Sequence, residues 1–458
     1  MPAKQTIVGA IQSDVLTFTV GKDPALDAAL AEADCLGSAA HATMLARMPL
    51  RPKVFSEPEL ARVMRELLAV IRDVRRGRFR ITERDQDVHL AVERRLTRRL
   101  GVLGERIHTG RSRNDQVAVD LRLYAKEQLC GVIAETAALA DRLLRFARRH
   151  ARLPMVGRTH LQPAMPSSVG LWASAYAEGL LDDLILLRAA FDYNDRCPLG
   201  SAAGYGVPLP IDRRLTARLL GFAAPLHNVL HAANARGQCE AAILAALAQV
   251  MRTLSRLAED LMLYTTPEFG YFHLPPDCGT GSSIMPQKRN PDVLELVRAR
   301  AVAVQGQAAI VAGIVCKLPG GYNRDLQETK EPFIEGLRTT RACLRIMALL
   351  ADGLRADRQA LLAGFTAAVF ATDRALELVG RGLPFREAYD QVKAHLADLR
   401  AADPYAAVAK KKHLGGPAGL DFKLLAGRAR EAAAFARRAR AAYYRAVSRM
   451  LGVDYPRL

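Results

Sequence analysis

The sequence predicts an all-α protein built on a central bundle of long helices, and three observations predict it. Ile243, Leu247, Val250, Leu254, Leu257 and Leu261 recur at alternating intervals of four and three residues, the spacing of a bundle or coiled-coil seam. Amphipathic stretches of comparable length cover residues 115–150, 168–193 and 291–315, separated by Pro- and Gly-bearing loops at 198–210 and 267–286. Alternating runs of strand period are scarce.

Taken in chain order, this pattern gives three helical domains: residues 1–110, a central long-helix domain at 111–354, and residues 355–458. A chain of 458 residues has room for about three domains of ordinary size, or fewer if long helices run through the molecule. No internal repeat or low-complexity linker interrupts it, and Lys410-Lys411-Lys412-His413-Leu414-Gly415-Gly416-Pro417 reads as an exposed turn. The longest nearly pure apolar run, residues 308–316, is far below the roughly 18 residues of a membrane span. The N-terminal stretch, with Lys4, Asp14 and Lys22, lacks the basic start, apolar run and cleavage site of a secretory signal. The expectation is a cytoplasmic protein with no membrane partner.

The 65 basic and 47 acidic residues give a formal charge of +18. The Arg-rich stretches at 72–80 and 428–440 alternate with apolar residues at helical spacing, and aromatic residues are only 6%, too few for stacking platforms. They read as solvated helix faces, and no nucleic-acid partner is expected. A positive field still favours a multiply anionic small substrate. The seven cysteines are scattered without a Cys-x-x-Cys pair, and the ten histidines form no His-Glu-x-x-His pattern. Reduced thiols, no metal and no cofactor are expected.

Three polar constellations interrupt the helical pattern. The most informative is Gly281-Ser282-Ser283-Ile284-Met285-Pro286-Gln287-Lys288-Arg289-Asn290-Pro291-Asp292. Its glycines and serines form a loop able to move and to turn backbone N–H groups toward an anion, and Lys288 adds a full charge. Asn290 reads as a helix N-cap with Pro291 at the first helical position, which aims the positive end of the next helix at the same loop. The plain alternative is a Gly/Ser linker with an incidental lysine. The second constellation, His108-Thr109-Gly110-Arg111-Ser112-Arg113-Asn114-Asp115-Gln116, packs guanidiniums, hydroxyls and an amide at a helix start, a combination suited to carboxylate recognition; helix capping alone explains part of it. In the third, Gly157-Arg158-Thr159-His160-Leu161-Gln162-Pro163, His160 stands among hydrogen-bonding residues ahead of the helix containing Trp172. A lone histidine is more often structural than catalytic, but imidazole is the side chain best matched to proton transfer near neutral pH.

These segments resemble the signature regions of the fumarase/aspartase superfamily and, within it, the argininosuccinate lyase family. The resemblance covers nearly the whole chain. It takes in Asp34-Cys35-Leu36-Gly37-Ser38-Ala39-Ala40-His41, Asp87-Val88-His89, the segment from His108 to Gln116, Thr159-His160-Leu161-Gln162 and Pro198-Leu199-Gly200-Ser201. It continues through Ala258-Glu259-Asp260-Leu261, the serine loop and Tyr322-Asn323-Arg324-Asp325-Leu326-Gln327-Glu328-Thr329-Lys330. The serine loop marks the superfamily, and the Arg111 to Asp115 and Tyr322 to Gln327 segments mark the argininosuccinate branch.

The resemblance implies a homotetramer whose central helices form a twenty-helix core, with each active site assembled from three subunits. It implies reversible elimination of fumarate from argininosuccinate to give arginine, as in arginine biosynthesis, by general acid and base catalysis through an aci-carboxylate. Ser282 occupies the place of the family's first loop serine and is assigned as base, with Lys288 stabilising developing negative charge. His160 handles the departing nitrogen, and Glu295 orients it. The resemblance leaves open which of His160 and Ser282 is acid and which is base. By matching positions, Asn114, Thr159, Tyr322, Gln327 and Lys330 bind substrate, with Arg113 and Asn290 as supporting contacts.

The sequence departs from the family pattern in several places. The customary Trp-Gly-Gly-Arg-Phe start is missing, Asp23 stands where a substrate-binding Ser is common, and Arg158 replaces a Tyr. Asn234-Ala235-Arg236-Gly237 replaces a Ser-x-Arg-Asp element. Asp23 and Arg158 are expected to alter charge near the ligand. The alternative is a carbon–nitrogen lyase that releases fumarate from a different N-substituted aspartate. Adenylosuccinate is disfavoured by the Tyr322 to Lys330 segment, and a non-enzymatic role by the presence of Ser282, His160, Lys288 and Glu295.

Overall fold

The structure, a computed structural model, describes residues 3–6 and 9–458. Helices α1 (Ala31–Arg47), α2 (Glu57–Arg75) and α3 (Val88–Leu100) precede the long helix α4 (Arg113–Arg149). A hairpin of strands β1 (Pro154–Thr159) and β2 (Gln162–Ser168) leads into α5 (Val169–Asn194), and α6 (Gln238–Tyr264) follows. Two very short strands, β3 (Thr280–Gly281) and β4 (Arg289–Asn290), bracket the serine loop ahead of α7 (Asp292–Val315). Helices α8 (Lys330–Gly353) and α9 (Phe422–Leu451) complete the long elements. The architecture is all-α as the sequence predicts, with α4, α5, α6 and α7 close to the predicted stretches. Every ladder among the described residues has only two strands.

The seam explains the packing. Ile243, Leu247, Val250, Leu254, Leu257 and Leu261 of α6 are all buried, each contributing about 1.5–3 kcal/mol by leaving water. They belong to one core drawn from α4, α5, α6, α7, α8 and the first half of α9. Gly336 lets α8 approach α6, because a Cβ there would fall 2.3 Å from a Leu244 methyl. A second core joins α1, α2 and α3 to Tyr443, Val447 and Leu451 of α9, so the last long helix ties the N-terminal helices to the bundle. Among the described residues α6 alone is long and apolar enough to cross a bilayer by length and composition. Gln249, Arg252 and Thr253 break up its apolar runs, which is why no such span stands out in the sequence. Its apolar stripe is occupied by core packing.

The start of α4 is fixed by a capping box: Ser112 Oγ accepts from Asn114 N at 3.2 Å, and Asp115 Oδ1 accepts from Ser112 N at 2.9 Å. The other Asp115 oxygen accepts from Gly200 N at 2.9 Å and Ala202 N at 3.0 Å, which ties the Pro198 to Ser201 segment to the same helix end. In front of it, buried His41 on α1 lies with Nε2 2.9 Å from the Thr109 carbonyl, to which it donates. Its Nδ1 has no hydrogen-bond partner. Protonating it would bury an unpaired N–H, and burial, with Arg111 nearby, pulls the His41 pKa down to about 3. A depressed histidine contributes stability above its unfolded pKa near 6.5 that is lost as pH falls toward about 3. His41→Gln, which keeps a donor for Thr109, is expected to flatten the decline of Tm between about pH 6.5 and 4.5 relative to the parent chain, measured by thermal unfolding across that range.

Candidate active site

Of the residues predicted to bind substrate, Arg113, Asn114, Tyr322, Gln327 and Lys330 line one cavity of about 180 Å³. The first two sit on the opening turn of α4, and the others come from the segment entering α8. Much of the cavity's charge is already paired. Arg113 donates through Nε to Asp87 Oδ2 at 2.7 Å, while Asp87 Oδ1 caps α3 by accepting from Leu90 N at 3.0 Å. Burial pushes the Asp87 carboxyl up, but His89 and Arg113 outweigh it and hold the group below the usual carboxylate range. His89 also lines the cavity, with Nδ1 2.9 Å from Asp34 and 3.6 Å from Asp120. Burial opposes its imidazolium, yet Asp87 and Asp34 prevail and its pKa is raised.

Asp34, His89 and Asp120 are the described residues whose ligand atoms gather within 4.8 Å, close enough to hold a metal ion. Here the Asp34–His89 hydrogen bond and the buried Arg111 guanidinium, which acts on both carboxylates, already supply positive charge. Burial, with Asp34 beside it, still holds the Asp120 carboxyl well above the usual carboxylate range, which favours its neutral acid over an anionic metal ligand.

Lys330 is more deeply embedded than its predicted role suggests. Its side chain is 3% exposed, and Nζ lies 2.7 Å from Asp23 and 2.7 Å from Asp27. Burial raises the Asp23 pKa despite Lys330 beside it. The carboxylate that replaces the expected Ser at position 23 is thus held by a lysine rather than standing free at the cavity wall. Removing the cation strands two buried acids. Lys330→Met is expected to cost about 3–5 kcal/mol of stability, read as a lower midpoint in urea unfolding.

Arg236 also borders the cavity, donating to the Leu326 carbonyl at 3.1 Å with its guanidinium 5.5 Å from the centre of the Tyr322 ring. Arg324 and Gln327 both donate to the Thr19 carbonyl, at 2.7 and 3.0 Å. Asp27, Asp87, His89, Arg236 and Arg324 were not among the predicted site residues. The Asp87-Val88-His89 motif and the altered Asn234 to Gly237 element were the available signals.

The remaining predicted residues stand elsewhere on the chain. Among the described residues, Thr159, His160, Ser282, Lys288 and Glu295 do not border this cavity, and Asn290 borders a separate one of about 370 Å³. His160 lies at the exposed tip of the β1–β2 hairpin, where Thr159 pairs with Gln162 and only His160 and Leu161 make the turn. Both turn residues have positive φ, 54° and 60°, the pattern of a type I′ turn, which ordinarily selects Asn-Gly. For side chains with a Cβ this conformation costs roughly 1–2 kcal/mol each. Arg158 folds back on its own hairpin. Its Nη1 donates to the Leu161 carbonyl at 2.9 Å, and its guanidinium lies 4.7 Å from the centre of the Phe269 ring.

In the serine loop, Thr280 pairs with Asn290 and Gly281 with Arg289, so residues 282–288 project as one excursion, with Ser282 half-buried at its base and residues 283–288 exposed. Ser282 Oγ accepts from Ile284 N at 3.3 Å and Met285 N at 3.1 Å. Two N–H donors converging on one hydroxyl oxygen are the arrangement that favours its alkoxide. Lys288 is exposed on the same loop, and Ile284 at its tip is 82% exposed. The predicted Asn290 cap is corrected. Asn290 is spent on the β4 ladder, Pro291 takes the N-cap position without a side-chain bond, and α7 begins at Asp292. Glu295 remains in the first turn, exposed.

Comparison with known proteins places this geometry in a family. A family model described as a lyase matches residues 11–306, a span containing His160, Ser282, Lys288 and Glu295. The argininosuccinate lyase of Sorangium cellulosum is 47% identical over 420 residues, covering 92% of this chain and 96% of that protein. The chain belongs to the argininosuccinate lyase family. The argininosuccinate lyase of Phocaeicola vulgatus is 42% identical over 382 residues, 83% of this chain and 85% of its own length. A crystal structure of EDDS lyase in complex with formate superposes with a TM-score of 0.80 at 22% identity, covering 98% of this chain and 97% of that one. That likeness shows the fold alone. As a member of the family this lyase is a carbon–nitrogen lyase of the fumarase/aspartase superfamily, and its relatives do not favour a different N-substituted aspartate.

Proposed function

We propose that this chain cleaves argininosuccinate reversibly to arginine and fumarate, in arginine biosynthesis. The observation that carries the reading is the 47% identity over 92% of the chain to an argininosuccinate lyase. The cavity agrees with it chemically: Arg113, Arg236, Asn114, Tyr322 and Gln327 bring donors for carboxylates to its wall, while Asp23 and Asp27 are engaged by Lys330 and Asp87 by Arg113.

The chemical difficulty lies at a carbon acid beside a carboxylate. Taking its proton creates an aci-carboxylate with two negative charges on one group, so fixed positive charge and N–H donors must face it. In this reading Ser282 takes the proton, its alkoxide supported by the Ile284 and Met285 amides and by Lys288. His160 passes a proton to the departing nitrogen, and Glu295 holds His160 in place. The opposite assignment of acid and base uses the same pair. Ile284 at the loop tip supplies an apolar cover that excludes water when the loop closes. Arg113, Asn114, Thr159, Asn290, Tyr322, Gln327 and Lys330 bind or support the dicarboxylate substrate. No metal or cofactor enters this scheme.

One chain does not bring the exposed hairpin tip, the projecting serine loop and the cavity into a single pocket. A homotetramer with a twenty-helix core and shared sites would. Two features favour it: Leu296, Val302 and Ile310 on α7, and Ile185 and Leu186 on α5, are large apolar side chains left exposed on bundle helices. The reading keeps the three-part division at residues 1–110, 111–354 and 355–458, a cytoplasmic location, and no nucleic-acid or membrane partner.

The deciding experiment follows fumarate by ultraviolet absorbance with argininosuccinate, adenylosuccinate and aspartate as rival substrates. Fumarate is expected from argininosuccinate alone. Silence with argininosuccinate overturns the proposal.

A further inference from the structure

We infer that Arg158 is a positioning residue for the reaction: clamped between the Leu161 carbonyl and the Phe269 ring, it holds the strained two-residue turn that presents His160. The inference rests on the reading of His160 as a proton-transfer group. It assigns Arg158 a role different from the charge next to the ligand that its place in the sequence suggests.

The turn needs a holder. His160 and Leu161 both adopt positive φ, although neither is glycine or asparagine. Leu161 is 70% exposed, so packing of its side chain within its own chain does not impose the conformation. The hairpin register slips between Gly157 and Arg158, where Ala164 is the extra residue on the opposite strand, just before the turn. From there Arg158 Nη1 donates to the Leu161 carbonyl at 2.9 Å, closing a loop from one strand of the hairpin onto the backbone beyond His160. Such a bond fixes the carbonyl of the second turn residue, and with it the peptide plane that an ordinary turn would leave free to rotate.

The guanidinium is itself fixed. It lies over the Phe269 ring at 4.7 Å, and Phe269 is wedged against Tyr264 and Tyr271, with ring centres 5.5 and 5.3 Å away. These aromatics belong to the end of α6 and the segment after it, and Tyr264 and Tyr271 are part of the main core. Arg158 thereby connects an exposed hairpin tip to a rigid platform. Backbone strain at an exposed tip persists only where surrounding structure enforces it. The planar fork of arginine serves both contacts together, stacking by its face and donating from its edge, which lysine does not reproduce.

The test compares Arg158→Ala, Arg158→Lys and Phe269→Leu with the parent chain and with His160→Gln, all in the assembled enzyme. It reads kcat and KM, Tm, and amide hydrogen exchange at residues 159–163. Arg158→Ala is expected to lower kcat on the order of 10- to 100-fold, as misplacement of a reacting group does. KM and Tm should stay close to the parent values, and exchange at the turn should quicken. Phe269→Leu should move the same readouts in the same direction, and combining it with Arg158→Ala should add little, because both remove one clamp. Arg158→Lys should fall between parent and Arg158→Ala. If Arg158→Ala fails to assemble, Arg158→Lys and Phe269→Leu carry the test by the same criteria. Parent-like kcat in the Arg158 variants while His160→Gln is inactive overturns the inference alone. So does a loss of kcat with unchanged exchange at the turn, or a joint decline of kcat, KM and Tm that marks a general structural fault. An active His160→Gln overturns the reading of His160, and this inference with it.

Discussion

Replacing Ser282 with alanine is expected to lower kcat by about a thousandfold or more, while leaving the fold and assembly of the enzyme intact. The size of the effect follows from the chemistry assigned to the loop. A carbon acid next to a carboxylate gives up its proton only to a strong base, and the rest of residues 282–288 does not reproduce this one: the Ile284 and Met285 amides converge on the Ser282 hydroxyl and not on that of Ser283, and Lys288 is a cation that favours the negative charge without accepting the proton. The hydroxyl's surroundings also predict that the damage is confined to catalysis. Ser282 accepts only from Ile284 N and Met285 N in its own loop, and the loop stands exposed beyond the short β3–β4 ladder. Removing a half-buried hydroxyl that bonds only within its own loop shifts stability by about 1 kcal/mol. Fumarate release by absorbance, together with Tm and sedimentation of the variant, checks both halves. Near-normal turnover would place the base elsewhere.

The same comparison explains which parts of the molecule were legible in the sequence. Long helices announce themselves through repetition: the six seam residues of α6 are all buried, and their spacing alone located the bundle. The β1–β2 hairpin gave no such signal, because Pro154, Gly157, Pro163 and Pro166 interrupt alternation and its turn uses His-Leu in place of Asn-Gly. The end of the serine loop was misread for a local reason. Asn290-Pro291 has the composition of a cap followed by a first helical residue, but the pairing of Asn290 with Thr280 takes precedence and moves the helix start to Asp292.

In the candidate site, residue types were legible where a motif concentrates them, and their pairing was not. The bond from Lys330 to Asp27 spans 303 positions of sequence, so nothing local reveals that the lysine is already neutralised. Arg236 was visible only as part of a departure from pattern, whereas in the folded chain it forms a wall of the cavity. Arg158 read as a charge near the ligand because its neighbour is His160; the bond back to Leu161 emerges only once the strand register and the Phe269 platform are known.

The second large effect concerns His160 and, through it, the assembly. His160→Gln alone is expected to reduce kcat by about 10²- to 10⁴-fold, the usual worth of a positioned proton-transfer group. The fold should survive, since His160 is exposed at the hairpin tip and its side chain carries no core packing. Mixing this variant with Ser282→Ala then separates two arrangements that single variants do not. If His160 and Ser282 of one site came from the same chain, every site in a mixed assembly would lack one of them and activity would stay at the level of the variants. If the hairpin of one subunit meets the serine loop of another, a random equal mixture draws an intact His160 half the time and an intact Ser282 half the time. About a quarter of the sites then regain both groups. Denaturing the two variants together and refolding them as a mixture should therefore restore on the order of a quarter of parent activity, while each variant refolded by itself stays inactive. Failure of the mixture, with tetramers formed and subunits exchanged, would return both groups to one chain and remove the reason for a shared site.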